Sequence, residues 1–218
     1  MITTLNPTLN QKKYLIAAIF LAGAVGLHLP QTNALFVLLT PYSLFATGIL
    51  ILYNEQKREQ KVDFFLLSTF CSGFLIEAVG VATGKIFGAY HYTNVLGASI
   101  LGVPLIIGLN WTTLIYAIGT LLDRWQTHFV CQAVAAAALL TLLDVLIEPV
   151  AIYFRFWIWD LGVPGLQNYM AWFGYSLLVF LVYFKLKLRF QNPLNTTYLL
   201  GQVLFFGLNL CIIYFFAF

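Results

Sequence analysis

The chain has 218 residues, of which 61% are hydrophobic and 9% are charged, with a formal net charge of +3. A soluble globular domain is about 45–50% apolar and about 25% charged, so this composition excludes an ordinary soluble protein. It indicates an integral membrane protein. The small positive excess is typical of membrane topology and does not indicate a nucleic-acid-binding surface.

Apolar runs recur along the chain at close to the ~20 residues that a helix needs to cross ~30 Å of hydrocarbon. Because a bilayer offers no water to unpaired backbone groups, each run is expected to be helical. The sequence predicts an all-α polytopic fold with a single transmembrane domain over residues 1–218. Its seven spans, numbered in chain order, are predicted at about 14–29, 32–53, 63–83, 99–121, 128–152, 168–184 and 196–216.

The basic residues predict the orientation, because Lys and Arg of short loops are retained on the cytoplasmic side. With seven spans, two of the eleven basic residues, Lys85 and Arg155, fall on one side and nine on the other. We therefore expect a cell-membrane protein with a cytoplasmic N-terminus and an exterior C-terminus. The nine residues on the inner side are Lys12, Lys13, Lys57, Arg58, Lys61, Arg124, Lys185, Lys187 and Arg189.

Three carboxylates interrupt the apolar runs: Glu77 in span 3, and Asp144 and Glu148 in span 5. A charged residue in mid-span costs about 2.5–3.5 kcal/mol on insertion scales and usually faces the bundle interior or a cavity. Asp144 and Glu148 are four residues apart and share one helix face. Spans 3 and 5 run in the same direction, which places all three carboxylates toward the exterior and predicts one shared site.

A weak repeat supports a shared site. The segment 75–81 (LIEAVGV) resembles 146–152 (LIEPVAI), and each is followed by Leu-Gly-Val-Pro and then by Asn plus an aromatic residue. This pattern predicts a parallel helix-loop-helix repeat of spans 3–4 and 5–6, with Glu77 equivalent to Glu148. Chance similarity in a chain rich in Leu, Val and Gly is the alternative.

The loops of the two repeat units, 84–99 and 153–168, are rich in aromatic residues. One interpretation is an interfacial aromatic belt, with Arg155 anchored to lipid headgroups. The other is a cap over the carboxylates, whose aromatic faces would stabilise a cation. The sequence leaves both open.

Carboxyl groups in such surroundings have a recognisable chemistry. Two close carboxyls in low dielectric do not both ionise, so one can keep a proton and act as a general acid. The sequence has no Ser or Cys nucleophile beside a His, no glycine-rich phosphate loop and no His/Cys ligand cluster, and we predict no metal site. The pattern favours protonation of an apolar substrate, while hydrogen-bonded carboxyls that only hold helices together are the competing hypothesis.

At this point the residues resemble a known family. The segments GFLIEAVGVATGKIFGAYHYT, LGVPLIIGLNW, LLDVLIEPVA, FWIW and LQNYMAWF, between about Phe70 and Trp172, are similar to the integral-membrane carotenoid biosynthesis family. This family includes the acyclic carotenoid 1,2-hydratases of the bisanhydrobacterioruberin hydratase type. The resemblance implies that water adds across the terminal C1=C2 bond of a linear carotenoid ψ-end, giving a tertiary alcohol without a redox cofactor.

The implied partners are an acyclic carotenoid such as lycopene, water, membrane lipid and other enzymes of the carotenoid pathway, with no nucleic acid. In the implied mechanism Asp144 or Glu148 protonates C2, and Glu77 takes the proton of the added water. Aromatic faces hold the intermediate cation, and amides orient the water or a carboxyl. The residues expected to bind substrate or support the site are Asn110, Trp111, Tyr90, His91, Tyr92, Tyr153, Arg155, Trp157, Asn168, Tyr169 and Trp172.

Other classes of membrane protein also carry carboxylates within their transmembrane helices. A carotene cyclase would employ the same acid but exclude water. A magnesium-dependent prenyltransferase could use Asp144 and Glu148 as ligands, but its diphosphate would need more cations than Lys85 and Arg155. A proton-coupled transporter would also explain buried acids, although its helices should carry a polar lining. A retinal receptor would need a Schiff-base lysine in span 7, which has none.

Overall fold

The protein is represented by a computed structural model, which describes residues 8–56 and 58–216. Lys57, one of the basic residues predicted on the inner side, lies outside the described residues. Within them the chain forms seven α-helices, and the predicted all-α polytopic architecture is confirmed. The helices are α1 (Leu9–Gly26), α2 (Asn33–Tyr53), α3 (Gln60–Thr83), α4 (Leu105–Leu122), α5 (Phe129–Tyr153), α6 (Leu166–Lys185) and α7 (Asn195–Phe216).

Five helices of the described chain, α2, α3, α4, α5 and α7, are long and apolar enough to cross a membrane. Large apolar side chains cover the outer faces of the bundle, for example Leu38, Leu142 and Leu178. Apolar surface of this extent marks contact with lipid. The chain is therefore a membrane protein, and it stays a prediction that α1 and α6 also cross the bilayer.

Helix α4 lies at the centre of the bundle, where it packs against α2, α3, α5, α6 and α7. Most of its side chains are buried, including Leu114 and Tyr116. Small residues allow the close approach of neighbouring helices, as is typical of membrane bundles. A Cβ atom at Gly119 would lie 2.8 Å from the Tyr183 ring, so that α6 could not pack as closely against a larger residue.

The predicted start of span 4 at residue 99 is wrong. Residues 99–104 form a two-strand hairpin in which β2 (Ser99–Ile100) pairs with β3 (Val103–Pro104), and α4 begins only at Leu105. Leu101 and Gly102 have φ values of +53° and +77°, which an α-helix cannot contain. The run is apolar throughout, so hydropathy alone does not reveal this turn.

Two further short strands follow the carboxylate-bearing helices. β1 (Tyr90–Tyr92) follows α3, β4 (Trp157–Trp159) follows α5, and the two strands pair antiparallel. An antiparallel pair has a local two-fold axis, which here passes between His91 and Ile158. The strands therefore join the two predicted repeat units symmetrically.

The backbone of the Leu-Gly-Val-Pro segments also agrees with the repeat. Gly102 and Gly162 occupy the same position in the two segments and have φ values of +77° and +79°. Helix α4 begins directly after the first segment and α6 two residues after the second. Within each unit the helices pack as a pair, α3 with α4 and α5 with α6. These equivalences support a helix-loop-helix repeat.

Candidate active site

Glu77 lies in α3, six residues before the last residue of the helix, and is only 3% exposed. Both of its oxygens accept hydrogen bonds. Oε1 accepts from Trp111 Nε1 at 2.9 Å, and Oε2 accepts from the Tyr92 hydroxyl at 3.0 Å and from the Tyr90 hydroxyl. A buried carboxylate without partners would be costly. Three donors and no acceptor suit a carboxylate that carries its charge.

Glu148 lies in α5 directly before Pro149 and is also 3% exposed. Its Oε2 accepts hydrogen bonds from Trp157 Nε1 at 3.1 Å and from Trp159 Nε1 at 2.9 Å. Side chains alternate along a strand, so these two indoles lie on the same face of β4. Glu77 thus receives two hydroxyl donors from β1, and Glu148 receives two indole donors from β4.

Asp144 lies one turn before Glu148 and is completely buried. Its Oδ2 accepts a hydrogen bond from Asn168 Nδ2 at 2.8 Å, and the same amide lies 3.4 Å from Glu148 Oε1. Among the described residues, Asp144 Oδ1 has no hydrogen-bond partner. Asp144 therefore has the fewest donors of the three carboxyl groups.

The two halves of the site meet at Tyr90. Its ring lies 4.8 Å from the ring of Trp159, and its hydroxyl donates to Glu77. Burial raises the pKa of the Tyr90 hydroxyl well above its usual range, and the negative charges of Glu77 and Glu148 raise this pKa further. Tyr90 therefore stays a protonated donor at neutral pH and lies close to both glutamates. We call Glu77, Asp144 and Glu148 the carboxylate cluster.

Stacked aromatic rings border the cluster on the α4 and α6 side. The rings of Trp111 and Trp172 are stacked 4.1 Å apart, and the Tyr175 ring meets Trp111 edge-on at 4.9 Å. Gly73 of α3 makes room for this stack, because a Cβ atom there would lie 2.8 Å from Trp111 Cβ. In the repeat Gly73 is the counterpart of Asp144, so only the second unit carries the additional carboxyl.

Most of the predicted site residues lie at this cluster. Tyr169 of α6 directly follows Asn168, whose amide donates to Asp144. Asn110 instead lines a neighbouring groove. The predicted residues that contact the cluster directly, or through the stacked rings, are Tyr90, Tyr92, Trp111, Trp157, Asn168 and Trp172.

Three predicted residues lie away from the cluster. His91 is exposed and, because side chains alternate along β1, points away from the face shared by its neighbours. Tyr153 is half-exposed and contacts the rings of Phe154 and His28. Arg155 is exposed with a φ of +55°, and its side chain lines an outer pocket.

Trp159 is missing from the predicted site although it donates directly to Glu148. The sequence does carry a signal for it. Tyr90-His91-Tyr92 and Trp157-Ile158-Trp159 share an aromatic-x-aromatic alternation, which is typical of a strand that presents both rings on one face.

An apolar groove lies beside the carboxylate cluster and is lined mainly by residues of α1, α2, α4 and α7. Asn110, Ile147 and Trp157 are among its lining residues. Trp157 also donates to Glu148, so this indole belongs to both the groove and the cluster. We call this space the apolar groove.

The arrangement can perform acid-base chemistry on an apolar molecule. Three buried carboxyl groups with unequal numbers of donors stand among aromatic faces, next to a space that suits hydrocarbon. Within the described chain, no group of three or more His, Cys, Asp or Glu side chains is placed to hold a metal ion.

Comparison with known proteins identifies the family. A family model described as "Carotenoid biosynthesis protein" matches residues 34–217, which is most of the chain. The chain belongs to this carotenoid biosynthesis family. The matched region contains the whole carboxylate cluster, helices α3 to α7 and all of α2 except its first residue, whereas α1 lies before it.

A curated relative with a stated activity is also similar. It is the bisanhydrobacterioruberin hydratase of Haloarcula japonica, 27% identical over 188 residues, which cover 75% of this chain and 61% of the relative. The chain thus spans less than two thirds of that relative's length. No solved structure gives a significant match.

Proposed function

We propose that the protein is a cofactor-independent carotenoid hydratase, which adds water across the terminal C1=C2 bond of an acyclic carotenoid. Membership of the carotenoid biosynthesis family supports a carotenoid substrate, and the name of the Haloarcula relative supports hydration. The observation that carries the proposal is the unequal hydrogen bonding of the three carboxyl groups. Asp144 suits a proton donor, and Glu77 suits a proton acceptor.

Asp144 is the proposed general acid. A proton on its Oδ1 would displace no hydrogen bond within the described chain, whereas a proton on Glu77 would compete with a donor. Neighbouring Asp144 and Glu148 repel each other when both are charged, so a proton between them is expected on the group with fewer donors. The two indole donors of Glu148 favour its charged form.

In the first step the Asp144 O–H bond breaks and a C–H bond forms at C2 of the substrate. The π electrons leave C1 as a tertiary cation, with its charge balanced by the new Asp144 carboxylate. Aromatic faces such as Trp157, Trp111 and Trp172 stabilise such a cation. In the second step water forms the C1–O bond and gives a proton to Glu77. Transfer of one proton from Glu77 back to Asp144 restores the site, so that the net reaction is the addition of one water to one end of the substrate.

The proposal includes a placement in the membrane. We propose that all seven helices cross the cell membrane, with the N-terminus in the cytoplasm and the C-terminus outside. The asymmetry of the basic residues supports this orientation. Glu77, Asp144 and Glu148 lie in the C-terminal halves of α3 and α5, which in this proposed orientation would be nearer the outer interface. Water would then enter from outside while the hydrocarbon chain stays in the bilayer.

The test is to express the chain in a host that accumulates lycopene and to measure the pigments by mass spectrometry. Hydration adds about 18 mass units per reacted end, the mass of one water. The matched controls are Asp144→Asn, which removes the proposed acid, and Asp160→Asn, which changes an exposed acid in the turn after β4. An isomer of unchanged mass would indicate a cyclase. Unchanged pigment would contradict the proposal.

A further inference from the structure

The apolar groove is more apolar than its residue types suggest. Thr40, Ser43 and Thr47 of α2 line it, but each hydroxyl donates to a backbone carbonyl of the preceding turn at 2.7–3.0 Å. The Gln202 amide of α7, which also lines it, donates to the Tyr198 hydroxyl at 2.8 Å. These polar groups already have partners, so the groove presents mainly methyl, methylene and aromatic surfaces to its contents.

The groove has a thin wall toward the lipid, between α1 and α7. Phe20 of α1 rests on Gly201 of α7, and Phe205 of α7 lies against Gly23 of α1. The two phenyl rings are 6.1 Å apart. Each ring lies over a glycine of the opposite helix, so the two rings lie between α1 and α7 at this level.

The same two rings also face outward. Phe20 and Phe205 line a second apolar space between α1 and α7, bordered by Leu21 and Leu204. Both leucines are exposed on the outer surface of the bundle, where lipid is expected. Phe20 and Phe205 therefore separate an inner apolar space from a lipid-facing one.

We propose that the apolar groove holds the polyene chain of the substrate, and that the substrate enters it sideways from the lipid, past Phe20 and Phe205. The proposal rests on the proposed function, because it assigns a binding site to the same carotenoid. Such a molecule is dissolved in the bilayer, so an entrance from lipid spares it any transfer through water. Trp157 lines the groove and donates to Glu148, so a chain bound beside this indole would present one end to the carboxylate cluster.

A linear hydrocarbon fits these features for three reasons. Among the described residues no charged side chain lines the groove, two phenyl rings separate it from a lipid-facing space, and its lining residue Trp157 donates to Glu148. The reacting double bond lies at the end of the carotenoid. A molecule bound this way exposes that end to Asp144 and Glu148 and leaves the unreactive chain among apolar side chains.

The first test fills the groove and measures bound pigment. Thr47→Trp places a large ring in the space, and Ser43→Trp does so one turn away in case the first variant folds poorly. Ala46→Trp is the matched control, since Ala46 is exposed on the same helix and does not line the groove. The purified protein would be incubated with lycopene in lipid nanodiscs, and retained pigment would be measured by its absorbance.

We expect wild type, Ala46→Trp and Asp144→Asn to retain pigment, and the groove-filling variants to retain about tenfold less or lower still. Asp144→Asn lacks the proposed acid but keeps the groove. Pigment binding can therefore be measured in this variant independently of hydration. Normal pigment retention by a folded groove-filling variant would overturn the groove proposal, whatever the product. Pigment retention without any hydrated product would overturn the proposed function and leave the groove supported.

The second test concerns the wall. Phe205→Ala removes one of the two rings, and Val203→Ala trims an exposed residue of α7 that lines neither space. We expect pigment loading from lipid to be faster by about threefold or more in Phe205→Ala and unchanged in Val203→Ala, because loss of one bulky group lowers the barrier by a modest amount. Equal loading rates in wild type and Phe205→Ala would contradict entry at this position.

Discussion

Tyr90 and Trp159 stand opposite each other in the β1–β4 pair with their rings 4.8 Å apart, and each donates a hydrogen bond to a different glutamate. Tyr90 donates to Glu77 of α3, and Trp159 donates to Glu148 of α5. One pair of facing aromatic residues thus connects both halves of the repeat to both glutamates. A disturbance of either strand should therefore reach the whole carboxylate cluster.

The first prediction concerns the acid. Asp144→Asn should lower hydration by about 100-fold or more, because the amide keeps the shape of the carboxyl but has no proton to transfer. Product formation and folded protein would be measured together, with Asp160→Asn as the control. In deuterated water the wild-type product should acquire one deuterium at C2. Wild-type turnover by folded Asp144→Asn would show that Asp144 only holds helices together.

The second prediction compares two isosteric changes in stability. In Glu77→Gln the new NH₂ group either faces the Trp111 N–H, which cannot accept, or faces the Tyr90 and Tyr92 hydroxyls, which then lose the oxygen they donate to. We expect a loss of about 1–3 kcal/mol, the cost of an unsatisfied buried group. Asp144→Asn should change stability little, since the amide can occupy the position of Oδ1, which has no donor in the described chain. Thermal unfolding in detergent measures both, and equal losses would contradict the assignment.

The third prediction concerns Trp159. Trp159→Phe keeps an aromatic ring against Tyr90 but removes the N–H that donates to Glu148. We expect slower hydration and a loss of about 1–3 kcal/mol, because a hydrogen bond to a charged group is lost in a buried site. Trp125→Phe, at a half-exposed position in the loop after α4, is the control and should leave both unchanged. The hydration activity and the melting temperature of both variants would be measured to test this prediction.

The fourth prediction concerns the pH dependence of stability. It involves Asp123, which follows the last residue of α4 at the opposite end of the bundle from the carboxylate cluster. Burial raises the pKa of Asp123 to about 6, although a hydrogen bond from Tyr183 and the charge of Arg189 act to lower it. Because the pKa is higher in the folded state, the folded protein binds the proton more tightly, and stability should fall as pH rises from about 4 to about 6.

In Asp123→Asn this part of the pH dependence should disappear, since the amide oxygen can still accept from Tyr183. At pH 7.5 the variant should be more stable by about 1 kcal/mol after solvent screening is allowed for. Melting temperatures of wild type and variant between pH 4 and 8 test this. If the melting temperatures of wild type and Asp123→Asn change in parallel with pH, Asp123 is not the source of this pH dependence.

The fifth prediction concerns topology. A reporter fused after Phe218 should lie outside the cell, and one placed in the loop between α2 and α3 should lie in the cytoplasm, because most basic residues map to that side. Activities of two reporters that work in opposite compartments would be compared. A cytoplasmic C-terminus would contradict the prediction that the chain crosses the membrane seven times.

The sequence by itself determined where most of the helices lie, apart from the start of α4, and which helix face carries the acids. The predicted span 32–53 is found as α2 (Asn33–Tyr53), because the length of an apolar run and the demands of a bilayer are local properties that hydropathy reports directly. The common face of Asp144 and Glu148 likewise follows from helix geometry alone. The family resemblance covers the same segments.

Only the tertiary structure decided which groups serve the carboxyls. Tyr90 and Trp159 are far apart in sequence, and their pairing depends on how two helix pairs meet, which no local pattern specifies. The same holds for the Asp144 oxygen that has no partner among the described residues and for the groove behind Phe20 and Phe205, since both depend on how distant elements pack. A buried acid can be predicted from sequence, but its donors, and hence its role, depend on contacts between distant parts of the chain.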